Sequence, residues 1–133
     1  MILVDTSVLI NYLRGREKNG SIYFDRLLLT DMPFAINQYI YQEILQGAKD
    51  EREFLILKEY LSDIPFCDLR LGIQSFENAA LLNFRCRRKG VTIRSTIDLL
   101  IAETAIENNL LLLQDDTDFV NMSRVITELH LAT

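Results

Sequence analysis

Leu110-Leu111-Leu112-Leu113-Gln114-Asp115-Asp116 is the stretch that decides the fold. A leucine run closed by a turn reads as a strand buried on both faces, and strands of that kind belong to parallel sheets covered by helices. Such sheets carry ligands just beyond the carboxyl ends of their strands. Asp116 stands at one of those ends. At the start of the chain, Ile2-Leu3-Val4-Asp5 places Asp5 at another.

Outward from these two strands, apolar runs alternate with helix-spaced segments. Ile2 to Val4, Phe34 to Ile36, Pro65 to Asp68, Leu110 to Leu113 and Arg124 to Ile126 are the expected strands. Helices are expected over 6–14, 21–30, 37–48, 51–62, 70–89, 96–108 and 117–122, with Pro33 and Pro65 as turn-to-strand punctuation. The alternation predicts an α/β fold, a parallel sheet between helices, and the chain carries no repeat, low-complexity tract or linker. With 133 residues, 49% hydrophobic and 25% charged, residues 1–133 are expected to form one domain.

The longest purely apolar stretches, Leu27 to Leu29 and Leu110 to Leu113, are too short to span a bilayer, and Met1-Ile2-Leu3-Val4-Asp5 is no signal peptide. A cytoplasmic location without membrane contact is the expectation. Cys67 and Cys86 lie outside any Cys-x-x-Cys or His-rich context and are expected to be reduced and structural. His130 reads as a surface residue. The net charge of −5 opposes a polyanionic partner at first sight. The imbalance nearly vanishes once four carboxylates with another use are set aside. Arg85, Arg87, Arg88, Lys89 and Arg94 crowd into one basic window, read either as a helix end favoured by the macrodipole or as phosphate contacts.

Those four carboxylates are Asp5, Glu43, Asp98 and Asp116. Asp5 precedes Thr6-Ser7 and a helical pattern, so it caps that helix, serves as a ligand, or does both. Glu43 shares a helix stripe with Ile36, Ile40, Ile44 and Gly47, where burying an unpaired carboxylate costs several kcal/mol. The bland alternative is a stripe-edge glutamate reaching water. Asp98 faces the same way as Ile101, Ala102 and Ala105, although Ser95-x-x-Asp98 also resembles a capping box. Asp115, Asp116 and Asp118 are mutually repulsive unless a cation or a cap offsets them, and any one of them can cap the next helix.

Clustered carboxylates without Cys or His partners suit Mg²⁺ or Mn²⁺, hard cations that take oxygen ligands, keep several waters and bridge to phosphates. Phosphodiester hydrolysis is the chemistry that follows. A nucleophilic triad has no support, because the single histidine is poorly placed and Gly-x-Ser-x-Gly is absent, as is a phosphate-binding glycine loop.

The motifs Met1-Ile2-Leu3-Val4-Asp5-Thr6-Ser7-Val8-Leu9-Ile10, Glu43-Ile44-Leu45-Gln46-Gly47, Thr96-Ile97-Asp98-Leu99-Leu100-Ile101-Ala102 and Leu112-Leu113-Gln114-Asp115-Asp116-Thr117-Asp118-Phe119 together resemble PIN-domain nucleases, and among them the VapC toxins. The resemblance runs essentially end to end. It implies a three-layer α/β/α, Rossmann-like sandwich and Mg²⁺- or Mn²⁺-dependent endoribonuclease activity on tRNA- or rRNA-like substrates. It also implies a homodimer and inhibition by a cognate VapB-type antitoxin. Carried over, it makes Asp5, Asp98 and Asp116 ligands, direct or through water, and Glu43 a ligand or water-orienting base. Thr6 and Asp118 become supporting residues, with the basic window 85–94 as the RNA contact. Asp115 is an extra acid, and the choice between Asp115 and Asp116 stays open. Tyr12, Tyr39, Tyr41 and Phe119 are candidates for an antitoxin groove, with core packing as their alternative. Two other classes remain: a phosphohydrolase using Asp5 as nucleophile, which would want an acid where Ser7 stands, and a PIN-like binding module without turnover.

Overall fold

The computed structural model describes residues 1–132. In chain order the elements are β1 (Ile2–Val4), α1 (Thr6–Leu13), α2 (Asn19–Leu29), β2 (Phe34–Ala35), α3 (Gln38–Gln46), α4 (Glu51–Leu61), α5 (Ile73–Arg88), α6 (Thr96–Glu107), β3 (Leu111–Leu113) and α7 (Thr117–Val125). The sheet has the order β2-β1-β3 and is parallel throughout, with Ile2 opposite Phe34 and Leu111, and Leu3 opposite Ala35 and Leu112. All of β1 is buried, as a central strand covered on both faces must be. Helices flank the sheet, α1 packing on α2 and α3, and α5 on α6 and α7, in an α/β sandwich.

Single parallel bridges widen the sheet at both edges: Ile36 pairs with Phe66, and Leu112 pairs with Leu131. The expected strand at Pro65 to Asp68 is therefore reduced to one bridge, in which Ile36 N–H donates to Pro65 O and Cys67 N–H donates to Ile36 O. The expected strand at Arg124 to Ile126 does not exist. Arg124 and Val125 complete α7, and the bridge partner of Leu112 comes later, at Leu131. Phe119 and Met122 of α7 and Ile126 at its C-cap are all fully buried, and this packing outweighs the β preference of the pair Val125-Ile126. Leu111 also departs from expectation, being 42% exposed at the entry to β3 while Leu110, Leu112 and Leu113 are buried. At α5 the helix begins three residues later than expected, because Gly72 takes a left-handed φ of 61° that ends any continuous helix from residue 70.

Two features bring the carboxyl edge of the sheet to the helices above it. Asp5 N–H donates to Leu113 O at 2.9 Å, so the chain leaves β1 and β3 side by side. Asn37, fully buried, caps α3 by accepting from Ile40 N–H at 2.9 Å and donates through Nδ2 to Thr104 Oγ1 of α6 at 3.1 Å. A buried amide left unpaired costs about 1–3 kcal/mol, so this bond fixes α3 against α6. No helix among the described residues is long and apolar enough to cross a membrane.

Candidate active site

Asp5 is 4% exposed and caps α1: its Oδ2 accepts from Ser7 N–H at 3.0 Å and from Ser7 Oγ at 2.6 Å. Asp116 caps α7, with Oδ1 accepting from Asp118 N–H at 2.9 Å, while its own N–H donates to Gln114 Oε1 at 2.7 Å. Each cap engages one carboxylate oxygen, so capping leaves the second oxygen's chemistry open. Asp98 sits in the first turn of α6, but Ser95 makes no side-chain cap bond there, and the capping box that the sequence resembles does not form. Glu43 is half-buried on α3, and Thr6 Oγ1 donates to its Oε1 at 2.8 Å across to α1.

These residues form one electrostatic group. Burial, followed by the charges of Asp5, Asp116, Glu43 and Asp118, pushes the Asp98 carboxyl up from an ordinary 3.8 to about 7. Asp5 rises to about 6, mainly through burial and further through Glu43, against the lowering effect of its bonds from Ser7. Three helix N-termini meet here, those of α1, α6 and α7, and their partial positive charge eases the crowding of acids. Glu43 has no such help, lying well past the start of α3, and the Thr6 hydroxyl is what steadies it. As the side chains stand, no group of three or more Asp, Glu, His or Cys among the described residues could hold a metal ion.

Asp115 turns the other way. Its Oδ1 accepts from Gly20 N–H at 2.7 Å and its Oδ2 from Asn11 Nδ2 at 3.2 Å, while its N–H donates to Ser7 Oγ at 3.0 Å. Asp115 thus fastens α2 to α1 and to the end of β3, and Asp116 is the acid of that pair whose charge reaches Asp98. Sequence reasoning missed Ser7, which holds both Asp5 and Asp115, and Gly20, where an added Cβ would lie 2.6 Å from Asp115 Oδ1. Hydroxyl spacing after Asp5 hinted at the first, whereas the second depends on a contact 95 residues away.

The basic window is less uniform than its sequence. Arg85 is committed to Glu128 through two hydrogen bonds of 2.8 and 3.3 Å. Arg87 and Arg88 lie over the Phe84 ring in the last turn of α5, at 6.0 and 5.7 Å from its centroid, as the macrodipole favours. Lys89 and Arg94 are exposed between α5 and α6. Phe119 is fully buried in the core and offers no groove wall. Tyr12 packs edge-on against Phe24, and Tyr41 against Phe66. Tyr39 is half-buried against the core, and His130 is exposed.

The family model for the PIN domain matches residues 2–125. The chain belongs to the PIN-domain family. Its relatives include a VapC ribonuclease of Mycobacterium bovis and ribonuclease VapC11 of Mycobacterium tuberculosis. Each is 34% identical over 134 aligned residues, spanning all of this chain and 98% of the relative. Identity at that level over the whole length places the PIN domain described here in the VapC group. The fold is similar to the crystal structure of VapBC2 from Rickettsia felis bound to a promoter DNA fragment, with a TM-score of 0.74 at 23% identity over 98% of this chain and 97% of that one. It is also similar to FitAcB from Neisseria gonorrhoeae, with a TM-score of 0.69 at 20% identity over 100% and 97% of the two chains. VapBC-1 from nontypeable Haemophilus influenzae gives 0.70 at 19% identity over 98% and 96%.

Proposed function

We propose that this PIN-domain protein is a metal-dependent endoribonuclease of the VapC toxin type. The observation that carries the reading is the placement of Asp5 and Asp116 just beyond the carboxyl ends of the neighbouring strands β1 and β3, close enough for their charges to raise the Asp98 carboxyl in the first turn of α6. Four acids brought to one place against their mutual repulsion imply a positive counter-charge in the working state. The donor set fits Mg²⁺ or Mn²⁺, because it is all oxygen and because Mg²⁺ is ordinarily held by one or two carboxylates with several waters retained. Asp5, Asp98 and Asp116 would hold the ion, directly or through water. The bound cation would supply charge against a phosphodiester and lower the pKa of water.

The chain's own residues do the rest. Ser7 keeps Asp5 oriented, the Asp118 amide keeps Asp116 oriented, and Thr6 leaves Glu43 with one engaged and one available oxygen for positioning water or accepting its proton. Arg87, Arg88, Lys89 and Arg94 are the cations offered to the RNA backbone, since Arg85 is spoken for. The relatives named ribonucleases and the neighbours that are VapBC structures support an RNA substrate and a VapB-type antitoxin. For the antitoxin, the groove of about 460 Å³ between α1, α3 and α4, lined by Ile10, Leu13, Ile44 and Leu57 with Arg14 and Lys49 at hand, is the surface we favour. A homodimer would use the exposed Ile73, Phe76, Leu81 and Phe84 of α5.

A binding module without turnover draws on one observation, the lack of three converging ligands among the described residues. An aspartyl-nucleophile phosphohydrolase has less behind it, because Ser7 occupies the position of the second acid and ties up Asp5 Oδ2. Cleavage of total cellular RNA by antitoxin-free protein, with Mg²⁺, Mn²⁺ or EDTA, separates these. Discrete fragments that vanish with EDTA and in Asp98→Asn are expected. A folded protein that cleaves nothing under any metal leaves the binding module as the better account, and cleavage surviving EDTA removes the metal.

A further inference from the structure

Outside the acid cluster, a second pair of carboxylates, one buried and one half-buried, lies on the far turns of α6. Glu103 is 3% exposed and Glu107 lies one turn on, at the i+4 position of the same face. Glu107 Oε1 accepts from Arg70 N–H at 2.7 Å and from Ser75 Oγ at 3.0 Å, and Leu71 N–H donates to Ser75 Oγ at 3.1 Å. Its other oxygen, Oε2, is the one buried side-chain polar atom among the described residues without a hydrogen-bond partner. An acceptor in that position calls for a donor, and a second glutamate can provide one only if it carries a proton.

We propose that Glu103 holds a proton and donates it to Glu107, so that the acid pair acts as a pH-sensitive latch fastening the 70–72 loop and the start of α5 to α6. Two carboxylates one helical turn apart, one of them 3% exposed and facing a buried oxygen of the other, resist ionising together. Burial first, then the bond and charge of Glu107, hold Glu103 protonated up to about 7, although Asn78 opposes this. Glu107 is the charged member. Burial raises it, but the Arg70 amide, the Glu103 and Ser75 donors and the Arg70 charge together bring it below its ordinary value. The groups facing the pair from other elements are Ser75 and Asn78 of α5, Arg70 of the loop, and Glu128 beyond α7. Glu128 is itself bound to Arg85 at 2.8 Å, which moderates its effect. Above neutrality the proton leaves to solvent, Glu107 Oε2 loses its donor and two like charges face each other, which weakens the hold of Glu107 on the loop although its Oε1 still accepts from Arg70 N–H and Ser75 Oγ. The latch is independent of the nuclease reading and concerns the helix that carries Asp98.

Because an unfolded glutamate releases its proton near 4.5 and Glu103 near 7, the contribution to stability is complete below the first value and lost as pH rises through the second. The test is a ¹³C-carboxyl NMR titration of Glu103 in the full chain in EDTA, with melting temperatures of wild type and Glu103→Gln from pH 5 to 7.5. The amide keeps a donor for Glu107 without titrating. Glu103 is expected to titrate near 7 in wild type and lower in Glu107→Gln. The melting temperature of Glu103→Gln should gain about 5 °C on wild type across the range. Asp5 and Asp98 titrate in the same window but are common to both proteins and cancel in the difference. A Glu103 midpoint near 4.5, or parallel melting curves from two folded proteins, overturns the latch. If Glu103→Gln does not fold, the wild-type titration decides alone.

Discussion

Replacing Asp98 by asparagine should destroy activity and raise stability at the same time. The carboxyl of Asp98 sits at about 7 instead of 3.8, because burial and four neighbouring acids disfavour its charged form. At 1.36 kcal/mol for each tenfold change, this corresponds to about 4 kcal/mol of destabilisation for the ionised group. Asp98 is only half-buried, and salt screening and relaxation reduce the figure to about 1–2 kcal/mol. The sign follows from linkage: between about 4 and 7 the folded chain holds this proton more tightly than the unfolded chain, so metal-free stability falls as pH rises through that window. Asp98→Asn has no proton to lose. Thermal melting in EDTA should show the variant equal to wild type near pH 4.5 and about 3–8 °C more stable at pH 8. Adding Mn²⁺ should then raise the melting temperature of wild type and leave the variant where it was. A variant that is no more stable than wild type at pH 8, while folded and metal-free, would refute the claim that these acids repel one another across a shared site.

The remaining predictions concern the site's supports. Asp116→Asn should abolish RNA cleavage, whereas Asp115→Asn should keep it and lose about 1–2 kcal/mol in urea denaturation, because Asp115 only ties Gly20 and Asn11. Ser7→Ala removes the 2.6 Å bond that lowers Asp5, so in the rise of cleavage rate with pH the lower step, near 6 in wild type and below the Asp98 step near 7, should move to higher pH. An unchanged pH profile would show that Ser7 does not tune Asp5. Gly20→Ala drives a Cβ to within 2.6 Å of Asp115 Oδ1 and 2.7 Å of Val8 Cγ2, and should cost about 1–3 kcal/mol by the same denaturation assay.

Local pattern made much of this legible. Strand ends at Val4 and Leu113 were marked by apolar runs, and the acids following them lie at the carboxyl edge that those runs imply. Glu43 stood out because a charged residue on a stripe with Ile40 and Ile44 conflicts with its surroundings. What stayed hidden depends on contacts distant in sequence. Asp115 and Asp116 are adjacent and chemically identical, and only the Gly20 amide and the Asn11 side chain, brought in by folding, separate a strut from the acid whose charge reaches Asp98. Likewise the basic window looked uniform until Glu128 claimed Arg85. At Arg124 to Ile126, β-branched residues suggested a strand, but Phe119 and Met122 bury one face of α7 and Ile126 is buried at its C-cap, so tertiary packing overrode local preference.

The central claim is that Asp5, Glu43, Asp98 and Asp116 act as one cation site. Calorimetric titration of Mn²⁺ into metal-free wild type and into Asp98→Asn at pH 6.5 tests it most directly. The account predicts saturable binding to wild type with release of protons from the site, since carboxyls raised to about 6 and about 7 must give them up, and little or no binding to the variant. Identical isotherms for the two proteins, or no binding to wild type at millimolar Mn²⁺, would contradict it.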